Sequence, residues 1–114
     1  MINWHPLHAA GQIEEIVTAS QSKPCIIFKH STKCGVSSFI QSRLEDDWDF
    51  SEGEVTSFFL DAIANREVAR LVAEQFSVHH ESPQLLLLRS GECTYDASHF
   101  DISVSELREC FHDS

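Results

Sequence analysis

Cys25-Ile26-Ile27-Phe28-Lys29-His30-Ser31-Thr32-Lys33-Cys34-Gly35-Val36-Ser37 reads as a strand, a turn and the start of a helix. Cys25–Phe28 is a short continuous apolar run, the pattern of a strand buried on both faces. His30–Lys33 is a polar turn. From Cys34 or Gly35 to about Asp46 the spacing predicts a helix that buries Val36, Phe39, Ile40 and Leu44. A strand buried on both faces needs helices above and below it, so the flanking sequence should alternate between the two kinds of element.

It does. Upstream, 11–20 reads as a helix with Ile13, Ile16 and Val17 on one face, broken by Ser22-Lys23-Pro24. Downstream, Val55–Leu60 reads as a second buried strand and Asp61–Asn65 as its connection. Arg66–Phe76 has helical spacing through Val68, Leu71, Val72 and Phe76. A polar loop, Ser77–Ser82, leads to Pro83 and to a third strand at Leu85–Leu88. Arg89-Ser90-Gly91-Glu92 is a hairpin turn with Gly in the tight position, and Cys93–Ala97 is the returning strand. Ser103 opens the last helix, with Glu106 completing a capping box and Val104, Leu107, Phe111 and Cys110 on the apolar face. The order α-β-α-β-α-β-β-α predicts an α/β domain with a four-stranded mixed sheet flanked by helices, which resembles the thioredoxin-like architecture.

A chain of 114 residues is one domain, 1–114, and buries enough surface to hold a core without disulfides or metals. Its 18 acidic and 8 basic residues give a formal net charge of −10. Such a surface repels phosphate backbones and anionic membranes, which argues against nucleic acid or membrane as partners. The cluster Glu45, Asp46, Asp47 and Asp49 reads as a solvated helix end. No apolar run approaches the roughly 20 residues of a membrane span, and the segment after Met1 is no signal peptide, so a cytoplasmic location is expected.

Of the four cysteines, Cys25, Cys34, Cys93 and Cys110, none forms a Cys-x-x-Cys pair, so neither a zinc knuckle nor a dithiol is written here. Cys25 and Cys110 read as core, and Cys93 as a half-buried structural cysteine on the hairpin. Cys34 differs, because it stands where a helix begins. There the unpaired backbone N–H groups and the helix dipole favour a thiolate, the nucleophilic form. Lys33 and His30 are candidates for added positive charge. Thr32 and Ser37 are candidate hydrogen-bond donors to the sulfur, Ser37 standing where a dithiol protein carries its second cysteine. The seven histidines offer no i, i+4 pair with a third ligand, so no metal is expected. His99 reads as a turn residue that hydrogen-bonds backbone ahead of the last helix.

Phe28–Cys34 with Gly35-Val36-Ser37-Ser38 resembles the active-site segment of the monothiol bacilliredoxins, thioredoxin-like proteins of the bacillithiol system. Trp4, Ser82-Pro83-Gln84 and Ala97–Ser103 are similar to that family's motifs in the same order. The resemblance implies that Cys34 attacks a mixed disulfide between a client protein and a low-molecular-weight thiol of the bacillithiol type and takes up the thiol. The thiol is then a co-substrate, no cofactor stays bound, and a separate reductant or redoxin restores Cys34. It also implies a cis Ser82–Pro83 bond against Cys34, with Ser82, Pro83 and Gly35 facing the substrate. Two departures are Gly35, where the family often has Pro or Ser, and Phe100, where it commonly has Trp. Gly35 also makes the segment similar to monothiol glutaredoxins that carry iron–sulfur clusters, although Ser98-His99-Phe100-Asp101 replaces the glycine and aspartate pairs of that pattern. A redox-inert adaptor is the other alternative. Whether Cys93 or Cys110 resolves Cys34 stays open on sequence.

Overall fold

In the computed structural model, which describes residues 2–51 and 53–112, the elements run β1 (Trp4–Pro6), α1 (Gly11–Ala19), β2 (Cys25–His30), α2 (Gly35–Asp47), β3 (Thr56–Asp61), α3 (Arg66–Phe76), β4 (Gln84–Arg89), β5 (Glu92–Ser98), a single 3₁₀ turn (His99–Asp101) and α4 (Val104–His112). The sheet order is β1-β3-β2-β4-β5. β1, β3 and β2 are parallel, and β4 and β5 run against them.

The sheet has five strands rather than four. The added strand, β1, is three residues long and ends in a proline, too short to show an alternation. It exists because of tertiary contacts. Trp4 packs its ring on Phe28 and Phe59, with centroids 5.9 and 5.6 Å away, and its indole Nε1 donates to Glu45 Oε2 at 2.8 Å, tying the sheet edge to α2.

Alternation along β2 divides the core. Ile26 and Phe28 face Ile40, Leu44 and Leu107, the side covered by α2 and α4. Cys25 and Ile27 face Ile16, Val68 and Val72, the side covered by α1 and α3. Every residue of β2 is buried, as its apolar run requires. β3 is only half covered, with Phe58 and Phe59 partly exposed, because its outer neighbour is so short. Phe39 is not buried: it is 56% exposed, its place in the core being held by Ser37, Ile40 and Leu44.

The β4–β5 hairpin turns through Ser90 and Gly91, both at positive φ (51° and 80°), as a primed turn requires. It is fastened to the end of α1: Ser90 N donates to Ser20 O and Gly91 N to Ser20 Oγ, each at 2.8 Å. At the other end of the hairpin, Ser103 caps α4 by accepting from Glu106 N at 3.3 Å. The Glu106 carboxylate accepts from the Tyr95 hydroxyl at 3.4 Å, so the capping interaction runs one way.

Candidate functional site

The C-terminal end of β2 and the N-terminal end of β4 meet at one edge of the molecule. The antiparallel register pairs Lys29 with Gln84, so the next step sets His30 opposite Pro83. The Ser82–Pro83 bond is cis. Beyond His30 the chain turns on a hydrogen bond from Cys34 N to Ser31 O (3.2 Å), and α2 begins with Ser37 N donating to Cys34 O (3.1 Å). Cys34 is therefore the N-cap of α2, with an extended backbone (φ −119°, ψ 114°) and no side-chain capping bond. It is half-buried. A Cβ built on Gly35 meets nothing within 4 Å, so the residue that follows the cysteine borders open space.

Ser37 is buried one turn below. Its hydroxyl oxygen accepts from Ser31 N–H at 3.0 Å and stands 2.9 Å from His30 Nδ1. The hydroxyl that sequence reading aimed at the sulfur instead fastens the turn from beneath. His30 is buried as well, and burial lowers its pKa against a smaller opposing influence of Asp61. An imidazole already near 6.5 in water is then neutral at pH 7, so His30 brings no positive charge to Cys34, contrary to the sequence expectation. Its Nδ1 is hydrogen-bonded to the Ser37 hydroxyl. Thr32 and Lys33 are exposed on the turn and contact no partner among the described residues.

The wall beside Cys34 comes from the segment that ends at Pro83, and two buried polar side chains hold it. Gln84 Nε2 donates to His79 O at 3.0 Å, and Lys29 Nζ lies 3.3 Å from His80 Nδ1. Neither residue is measurably open to water, at 1% and 0% exposure. Burial pushes the Lys29 ammonium down to about 8, resisted by Cys93, Asp96 and Glu81. On the far side, His99 N donates to Pro83 O at 3.0 Å, which sets the 3₁₀ turn against the same proline. His99 Nε2 is 3.0 Å from Glu81 Oε1. Next to His99, Phe100 is 61% exposed and its ring packs on Phe39 at 6.2 Å, leaving an exposed aromatic pair beside the Cys34–Pro83 edge.

The other three cysteines lie at the opposite end of the sheet. Cys25 pairs with Leu88, which also pairs with Cys93. That row is four residues from Gln84, about 13 Å along the strand at 3.3 Å per residue. Cys110 precedes Phe111, whose carbonyl accepts from Arg89 at that same far end. Burial raises the Cys25 and Cys93 thiols to about 11. Cys25, Cys34 and Cys93 are free thiols, and the strand register keeps Cys25 and Cys93 away from the Cys34 end of the sheet. Among the described residues no group of three or more His, Cys, Asp or Glu is arranged to hold a metal ion, and no helix is long and apolar enough to cross a membrane.

Sequence reasoning singled out Cys34, Ser37, Ser82 and Pro83, and the structure puts them at one end of the sheet. The same reasoning passed over Lys29 and Gln84 and misjudged Phe39. A lysine inside an apolar strand was the available signal for the first.

A cysteine at a helix N-terminus, at the same sheet end as a cis proline ahead of an antiparallel strand, on a β1-β3-β2-β4-β5 sheet, defines a thiol protein of thioredoxin fold. The family model described as monothiol bacilliredoxin BrxC matches residues 5–107, and the chain belongs to that family. Its role is thiol redox chemistry. Among solved structures it is similar to one described as an oxidoreductase with a thioredoxin fold (25% identity, TM-score 0.76, 94% of this chain and 92% of that one). It is also similar to thioredoxin from Malassezia sympodialis (16%, 0.74, 97% and 90%) and thioredoxin from Trypanosoma brucei brucei (17%, 0.74, 97% and 89%). The last two likenesses carry the fold alone.

Proposed function

We propose that the protein removes a low-molecular-weight thiol of the bacillithiol type from client proteins, with Cys34 as the nucleophile. The observation that carries this reading is the position of Cys34: it stands at the helix end on the Pro83 side of the sheet, and Cys25 and Cys93 lie about four strand residues away. A lone cysteine accepts one thiol and stops there.

The Cys34 thiolate attacks the sulfur of the small thiol in the client mixed disulfide. A bond forms between Cys34 Sγ and that sulfur, and the client sulfur leaves as a thiolate that takes a proton from water. Client cysteine is reduced, Cys34 is oxidised, and the small thiol has changed partners. The unpaired N–H groups of the first turn of α2 stabilise negative charge on sulfur at both stages. Ser37 and His30 keep the turn in place, Thr32 and Lys33 line its exposed side, and Gly35 leaves the approach clear. Backbone groups of Ser82 and Pro83 orient the extended client chain, and the Phe39–Phe100 pair beside them meets its apolar surface. A second small thiol or another redoxin, supplied in the cytoplasm, then reduces Cys34. The protein needs no bound cofactor.

The test is release of the small thiol from a client carrying a bacillithiol mixed disulfide. Wild type releases it stoichiometrically in the absence of a reductant, and Cys34→Ser releases none. Equal release by both proteins overturns the assignment.

A further inference from the structure

On the side of Pro83 away from Phe100, a groove of about 570 Å³ opens between α3 and the loop that precedes β4. Ala62, Ile63 and Ala69 form one side, and Val78, His80 and Ser82 the other. It starts beside the candidate site. Ala62 N donates to His30 O at 2.8 Å, and Ser82 is the residue joined to Pro83. The loop wall is held from below by Gln84 and Lys29.

The lining charge is unlike that of the rest of the chain. Arg66 and Arg70 stand at the groove against one acid, Glu74, in a protein whose formal net charge is −10. Arg70 is paired with Glu67 and Glu74. Glu81, just outside, accepts from His99 and lies 3.6 Å from His79. Arg66 is exposed and makes no ion pair among the described residues. A groove of ligand size, apolar on its floor with one unpaired guanidinium at its mouth, suits a small molecule that carries a carboxylate.

We infer that this groove seats the small half of the mixed disulfide, and that Arg66 selects a low-molecular-weight thiol bearing a carboxylate. The inference rests on the exchange reaction proposed above. It divides the substrate in two, with the client on the Phe39–Phe100 side of Pro83 and the small thiol on the α3 side.

The experiment uses one client cysteine blocked in two ways, as a mixed disulfide with mercaptosuccinate or with 2-mercaptoethanol. The ratio of the two release rates is compared among wild type, Arg66→Gln and Lys23→Gln. Lys23 precedes β2 at the far end of the sheet and changes the net charge equally. Arg66→Gln should lower the ratio of anionic to neutral substrate by about three- to fivefold, the worth of a partly exposed ion pair. The ratio for Lys23→Gln should stay at wild type. An unchanged ratio in Arg66→Gln, or an equal fall in Lys23→Gln, overturns the assignment of the groove while leaving the exchange reaction standing. Release from neither substrate by wild type overturns both.

Discussion

Ser37 Oγ and His30 Nδ1 lie 2.9 Å apart, both buried, directly beneath the turn that carries Cys34. Ser37 also accepts from Ser31 N–H, so one hydroxyl joins the end of β2, the turn and the first turn of α2. Ser37→Ala leaves two buried groups unsatisfied and should cost about 1–3 kcal/mol. Denaturant unfolding measures the loss. The same pair makes stability depend on acid. Burial holds the His30 pKa below its ordinary 6.5, so as pH falls through 6.5 the unfolded chain takes up a proton first and stability is lost. The stability difference between wild type and His30→Gln should therefore move against wild type as the pH is lowered from 7 to 5.

Lys29 gives a pH dependence of the opposite range. Its ammonium loses its proton at about 8 in the folded chain instead of 10.5. Between those values the unfolded state holds the extra proton, so this residue's contribution rises with pH from 8 to 10.5. Cys25 and Cys93, raised to about 11, act in the other direction above pH 9. The informative quantity is therefore wild type minus Lys29→Met: Lys29→Met should be the more stable at pH 7, and its advantage should shrink towards pH 10. A constant difference would show that Lys29 keeps its charge.

Two glycines should respond in opposite ways to alanine. At Gly91, φ is 80° and a Cβ would lie 3.2 Å from Gln21 Nε2 and 3.3 Å from Val17 Cγ1. Gly91→Ala should destabilise by about 1–2 kcal/mol. At Gly35 the space is open and the backbone is helical, so Gly35→Ala should stabilise by about 0.5–1 kcal/mol. Thermal unfolding of the two variants, with exchange activity measured for Gly35→Ala, checks both.

The parts of the fold legible in sequence were those written in local periodicity. The apolar run at Cys25, the heptad-like face of Arg66–Phe76 and the turn glycine at Gly91 each fix their element without help from afar. Trp4–Pro6 carried no such signal, because that strand exists only through what Trp4 packs against in β2, β3 and α2. Phe39 misled for a related reason. Helical spacing allowed it a place inward, but Ser37, drawn in by His30 and Ser31, occupies that face. At the site, residue type and position found Cys34 and Pro83. The partners of Ser37, Lys29 and Gln84 depend on strand register, which one sequence does not display.

The most direct measurement locates the adduct. The reduced protein is mixed with a client carrying a bacillithiol mixed disulfide at neutral pH, quenched with acid and digested for mass spectrometry. One bacillithiol per chain should appear on Cys34, with the client thiol freed in equal amount and with Cys25 and Cys93, whose thiols are pushed up to about 11, unmodified. An adduct on Cys93 or Cys110, or a client left fully blocked while Cys34 stays reduced, would contradict Cys34 as the exchanging thiol.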